Sequence, residues 1–228
     1  MATSSRRVGA ETSKTRDALL DCVENMMLEE GYASVTYRAL ASRAGVTPSL
    51  VQYYFPSLDD IFIAAIKRYS ERGLTYLKEA LERRADDPLR AVWEYSWDEA
   101  TGALTTEFMA LSNHRKSIRA EIAAVTENVR KMQLNALVAK FGKNARPIGD
   151  LSLPALQLLL SGLPKFLSLE KGIGVKLAHD EVTKAFERYI DGVEPRTEPP
   201  KRKTASRQRA TTPTKEGRTS HPGRRSGR

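Results

Sequence analysis

Cysteine is almost absent: Cys22 is the only one in 228 residues. That excludes an internal disulfide framework and any multi-cysteine zinc site. Its neighbours in LLDCVENMM are mostly apolar, so Cys22 reads as a small core residue and not as a reactive thiol. Long apolar runs are missing too. The longest, LSLPALQLLLSGLP, falls short of the ~18 residues of a membrane span and is interrupted by Pro154 and Pro164. MATSSRRVGAETSK at the start has no apolar segment of the kind a secretory signal carries, so a cytoplasmic location is expected. No stretch alternates apolar and polar residues between turn signals, so no sheet is expected and the fold class is all-α. Aromatic residues are few, at 7%. The three histidines, His114, His179 and His221, show no metal-ligand or nucleophile spacing. The lone glycine-containing loop KGIGVK lacks the preceding strand of a phosphate-binding turn. No catalytic site, metal or cofactor is expected.

Charge is present in quantity, and unevenly. The net charge is +9, from 37 Lys and Arg against 28 Asp and Glu. Residues 195–228 hold 11 basic and 2 acidic residues and so account for all of it, leaving residues 1–194 balanced at 26 of each. This segment, PRTEPPKRKTASRQRATTPTKEGRTSHPGRRSGR, has no Leu, Ile, Val or aromatic residue. It cannot bury enough apolar surface to offset chain entropy, and a disordered basic tail is expected there. Such a block serves either as a nucleic-acid arm or as a solubilising extension.

The rest reads as consecutive helices. After an arm over residues 1–12, expected to be flexible, residues 13–30 place Leu19, Leu20, Val23, Met26 and Met27 on one helical face, with Ser13 as a candidate cap and Gly31 beyond the end. Thr36 is a good cap for a second helix that Gly45 stops. A third begins at Pro48, where a proline's missing N–H costs nothing, and runs to about Tyr54. Ser57 then caps a long helix with Asp59 and Asp60 in its first turn. Further helices are expected near 58–84, 88–101, 103–113, 116–141, 154–170 and 178–191, with breaks at 86–88, near His114, at 142–150 and at 171–175.

Two short helices joined at a glycine make a helix-turn-helix. Gly45 permits a left-handed turn. Ala41 and Ala44 are small enough for a close helix crossing, and Val46 and Val51 point inward with Leu40. The opposite face of the second helix carries Thr47, Pro48, Ser49, Gln52 and Tyr53, groups suited to base edges and phosphate oxygens.

Residues 14–62, containing TRDALLDCVENMMLEEGYASVTYRALASRAGVTPSLVQYYFPSLDDIF, resemble the DNA-binding domain of TetR-family transcriptional regulators. The resemblance rests on Gly31-Tyr32 after the first helix, Thr36 opening the second, Leu40 to Val46 in the LAxxAGV pattern, Thr47 at the recognition helix, and Tyr53, Tyr54 and Phe55 closing it. It implies Tyr37 and Arg38 at the DNA backbone and groove edge, Thr47, Pro48, Ser49 and Gln52 in the major groove, and Tyr53 and Tyr54 at phosphates, although Tyr54 reads equally well as core and Arg38 could be a merely solvated helix residue. Arg6, Arg7 and Lys14 could reach the minor groove or backbone, or belong to an untethered arm. The first 58 residues hold six basic and six acidic residues, so attraction to DNA depends on placement, with Glu24, Glu29 and Glu30 expected on the far side. Two positions depart from the family pattern: Leu58 stands where a Lys is usual and is expected to pack, and Gln52 stands where many members carry Tyr, which should alter the operator sequence read.

The resemblance divides the chain into a DNA-binding domain over 13–58 and an effector-binding and dimerisation domain over 59–194, ahead of the tail at 195–228. LPALQLLLSGLPKFLSL and LAHDEVTKAFERYIDGV would form a four-helix bundle with a second copy, setting two recognition helices about one DNA turn apart (~34–36 Å) on a palindrome. Trp93 and Trp97 share a helix face, and with Phe108 and Met109 they are the candidate lining for a small hydrophobic effector, although an aromatic stripe more often serves as core. His114 reads as structural. The expected protein is a homodimeric repressor of double-stranded operator DNA, released by its effector, in the bacterial cytoplasm and on the nucleoid when DNA-bound. The alternative is a general DNA-coating protein that acts through its basic tail.

Overall fold

Helix follows helix along the chain because each stretch carries its own start and stop. The structure is a computed structural model that describes residues 3–97 and 99–195, with side chains from residue 14 onward except at 98–101 and 103. The helices are α1 (Thr3–Glu30), a 3-10 turn (Tyr32–Ser34), α2 (Tyr37–Ala44), α3 (Pro48–Tyr54), α4 (Leu58–Arg83), α5 (Pro88–Ser96), α6 (Glu99–Ser112), α7 (Lys116–Phe141), α8 (Leu153–Gly172) and α9 (His179–Val193). Among the described residues there is no strand, in keeping with the all-α expectation. No helix of the described residues is long and apolar enough to cross a membrane. The basic tail from residue 196 lies outside the described residues.

The caps read from the sequence at Thr36 and Ser57 are present. The Thr36 hydroxyl accepts the Ala39 N–H at 3.2 Å and the Thr47 hydroxyl accepts that of Leu50 at 3.3 Å. Ser57 and Asp60 form a reciprocal capping box at the start of α4. Gly45 closes α2 in the left-handed region, at φ +67°.

Two boundaries differ from expectation. Helix α1 begins at Thr3, so Ser13 lies inside it and does not cap it. The break expected at about Gly102 falls instead after Ser96. There the Ser96 hydroxyl donates to the Val92 carbonyl at 2.8 Å, and the Trp97 N–H bonds to the Glu94 carbonyl, so the last turn tightens and ends. Gly102 sits within α6, where the Thr106 hydroxyl bonds to its carbonyl at 3.0 Å.

Apolar side chains form two cores. The first gathers Leu19, Leu20, Val23, Met26 and Met27 of α1, Leu40 and Ala41 of α2, Val51 and Phe55, and Ile61, Phe62, Ala65 and Ile66 of α4. Leu104, Phe108 and Leu111 of α6 and Ile118 of α7 complete it, and Cys22 packs against it. The second core holds Leu77 and Leu81 of α4, most of α5, Leu137 of α7, Leu153, Leu156 and Leu160 of α8 and Ile190 of α9. Helix α4, 26 residues long, spans about 39 Å at 1.5 Å per residue and places one end in each core. Helix α7 does the same through Ile118 and Leu137. The N-terminus of α5 is closed by Glu194, beyond α9, whose carboxylate accepts the N–H groups of Leu89 and Arg90 at 2.9 and 3.0 Å.

Candidate nucleic-acid interface

Helix α3 has a buried face and an exposed one, and the division follows from its sequence. At 100° per residue, Pro48, Ser49, Gln52 and Tyr53 fall within an arc of about 140°, and all four are exposed. Val51 is fully buried on the other side, and Leu50 and Tyr54 are half-buried. Tyr53 is 73% exposed while Phe55, two residues on, is 1% exposed. The exposed face therefore carries an amide, two hydroxyls and a flat proline edge, a surface matched to base edges and phosphates. The Tyr53 and Tyr54 rings meet edge to face at 5.2 Å, and Tyr54 packs against the first core. Thr47 uses its hydroxyl as a helix cap and lies 3.1 Å from the Ser49 hydroxyl, so part of its hydrogen-bonding capacity is already committed.

On α2 the two arginines differ. Arg43 is tied to Glu29 and Glu30, whereas Arg38 is exposed and has no ionic partner among the described residues. Tyr37 is half-buried, and its hydroxyl donates to the Phe55 carbonyl at 2.9 Å, fixing the start of α2 to the end of α3. Burial, with Asp60 nearby, raises its pKa above the usual phenol value. Tyr37 thus holds the two helices together. Arg16 lies over the Phe55 ring at 5.2 Å and is an exposed cation at the end of α3 that the motif did not point to. Leu58 is partly buried against the first core, as its apolar side chain led one to expect. The acids nearby are occupied: Glu24 accepts from Arg68 at 2.8 Å and Arg72 at 2.5 Å.

This helix-turn-helix is pinned to the later helices. The Glu107 carboxylate on α6 accepts the Tyr32 N–H at 2.9 Å, immediately ahead of α2. Asp59, in the first turn of α4, bonds to Arg115 and Ser117 at the start of α7. The Ser117 hydroxyl does most to hold the Asp59 carboxyl below its usual value; burial opposes it, and Arg115 adds to the lowering.

A cavity of about 680 Å³ opens between α1, α5, α6 and α8. Trp97 and Met109 line it, with Met27, Leu28, Glu107 and Lys165. Trp93 and Phe108 do not. Trp93 is stacked on Phe186 at 5.3 Å in the second core, and Phe108 meets Tyr69 at 5.8 Å in the first. A second cavity of about 730 Å³ shares Trp97 and Lys171 but is bordered by the largely exposed 176–181 segment and is not lined by α1 or α6. Lys165 was legible as the one charge in LSGLPKFLSL. Glu107, 75 residues from its partner, had no such signal.

An all-helical chain with a helix-turn-helix whose second helix presents a polar face has the architecture of a DNA-binding regulator. Residues 19–65 match the family described as bacterial regulatory proteins, tetR family. The HTH-type transcriptional repressor BepR of Brucella suis biovar 1 (strain 1330) is 28% identical over 175 residues, covering 72% of this chain and 83% of that one. A solved structure described as a TetR-family transcriptional regulator from Rhodococcus sp. superposes with a TM-score of 0.63 at 18% identity, over 79% of this chain and 99% of that one. A regulator from Saccharomonospora viridis, in complex with choline, gives 0.65 at 18% identity over 78% and 96%. The chain is thus similar to TetR-family transcriptional regulators, in sequence over residues 19–65 and in fold over about four-fifths of its length.

Proposed function

We propose that the protein is a homodimeric repressor that reads a palindromic operator through α3 and leaves it when a small, largely apolar effector enters the cavity. The observation that carries the reading is the exposed arc of Pro48, Ser49, Gln52 and Tyr53, held outward by Val51 and Phe55. Gln52 suits a bidentate pair with adenine. Arg38, exposed on α2, and Arg16, over the Phe55 ring, are candidate phosphate contacts together with Tyr53 and Tyr54.

Dimerisation is supported by an unpartnered apolar face. Leu158, Leu159 and Phe166 of α8 are 49%, 40% and 56% exposed, and Tyr189 of α9 is 57% exposed. Single exposed apolar residues are ordinary, but a face of this kind marks an interaction surface. A second copy covering it makes the bundle that sets two α3 helices on successive turns of the duplex. The route from effector to DNA runs through α6, which contributes Glu107 both to the cavity wall and to the Tyr32 N–H ahead of α2. An effector that shifts α6, and with it the long α4, alters the spacing of the two recognition helices.

The test is selection of bound sequences from random duplex DNA by the full-length protein. Enrichment of one palindrome, with half-sites about one turn apart, supports the reading. Retention of DNA without any enriched sequence contradicts it and points to binding through charge alone.

A further inference from the structure

The cavity assigned to an effector is lined by two lysines, Lys165 and Lys171, and of these Lys165 has no acidic partner among the described residues. Lys165 stands on α8 among apolar neighbours and lines the cavity with Met27, Leu28, Trp97, Met109 and Leu169. No carboxylate pairs with it among the described residues. The charged group that acts on it is Arg130 of α7, of the same sign. The one acid given to the lining, Glu107, is already engaged by the Tyr32 N–H. Burial first, and then Arg130, lowers the Lys165 pKa below the ordinary ammonium value. An ammonium group left partly desolvated beside another cation lacks a counter-ion. A volume of about 680 Å³ lies within the range of small-molecule sites, about 300–1,000 Å³.

From this geometry we propose that the effector is an amphipathic acid, with a single carboxylate held by Lys165 and an apolar body lying against Met27, Leu28, Trp97 and Met109. The proposal rests on the reading of this cavity as the effector site and adds the sign of the ligand's charge. A bound carboxylate would provide the missing counter-ion and place the ligand's body beside α6. A neutral ligand of the same shape would leave Lys165 unanswered, and a cationic one would add to the like charges of Lys165, Lys171 and Arg130.

The test uses the full-length protein and three probes of one chain length, below the concentration at which they aggregate: decanoate, methyl decanoate and decylamine. Affinity is read by calorimetric titration and by the shift in melting temperature. Decanoate is expected to bind about tenfold or more tightly than the ester, and decylamine more weakly still. Lys165→Met should weaken decanoate to about the level of the ester and leave the ester unchanged, while Lys165→Arg should keep most of the decanoate affinity. The comparison of acid and ester on the unaltered protein does not depend on how either variant folds. Equal binding of acid and ester, or decanoate affinity unaffected by Lys165→Met, overturns the assignment of charge while leaving an effector cavity in place. Binding of none of the three overturns the charge assignment together with the reading of the cavity as a site for apolar effectors.

Discussion

The helix-turn-helix and the cavity are built in opposite ways. In the first, function comes from neighbours in sequence: within α3, Val51 is fully buried while Gln52 and Tyr53 are exposed, and the helix is aimed by caps three residues apart. In the second, Leu28, Trp97, Met109 and Lys165 come from three helices and the turn after α5, spread over 138 positions. A recognition surface made from one short helix can change its base preference at single positions while its scaffold stays fixed. A cavity assembled from distant helices changes with any of them, which suits it to sensing. The two are joined where α4, α6 and α7 enter the first core, where Glu107 reaches the Tyr32 N–H and where Asp59 ties the start of α4 to the start of α7.

The contrast between aiming and reading within α3 is open to test. Phe55→Ala removes a fully buried ring and should cost about 3–5 kcal/mol of stability, whereas Tyr53→Ala, at an exposed position, should stay within about 0.5 kcal/mol. Urea denaturation compares them, and equal losses would erase the distinction between the two faces. The exposed face of α8 should give the next largest effect. Leu158→Glu combined with Phe166→Glu is expected to weaken self-association by about a hundredfold or more, seen by analytical ultracentrifugation with helical content unchanged; an unaltered dimer would place the interface elsewhere.

Gly45→Ala tests the turn. Nothing lies within 4 Å of a Cβ added there, so the cost is that of the left-handed backbone alone. That cost is about 1–2 kcal/mol, and thermal unfolding measures it. The smallest expected effect is at the bridge to α7. Asp59→Asn should lose about 0.5–1 kcal/mol near pH 7, since the ion pair is about one-third exposed. Because the folded pKa of Asp59 lies below the usual value, 3.8, its contribution is present above that value and fades as pH falls through the folded one. The difference in melting temperature between Asp59→Asn and the unaltered protein should therefore narrow from pH 7 towards pH 3. A difference that stays constant would remove ionisation of Asp59 from the bridge.

What the sequence made legible follows the same division. Thr36, Gly45, Thr47, Pro48 and Ser57 could be assigned because caps and turns depend on residue types within three or four positions. The exposed arc of α3 followed from helical periodicity and the placement of Val51. The start of α1 was missed because the residues ahead of Ser13 carry no apolar face to mark a helix, and the break after Ser96 because it depends on a hydroxyl turned back onto Val92. Trp93 and Trp97 share a helix face, yet periodicity could not tell that Phe186 would cover the first and leave the second at the cavity. Tyr37 was placed at the DNA edge, but its tether to Phe55 crosses 18 positions and needs the folded turn to be seen.

The most direct test of the central claim is a map of chromosomal occupancy for the full-length protein beside the same chain carrying Gln52→Ala and Tyr53→Ala. The account predicts a few sharp sites that share a palindrome, lost in the double variant while its fold and dimer persist. Sites of the same position and height in both would contradict it, because the exposed face of α3 would then contribute nothing to where the protein binds.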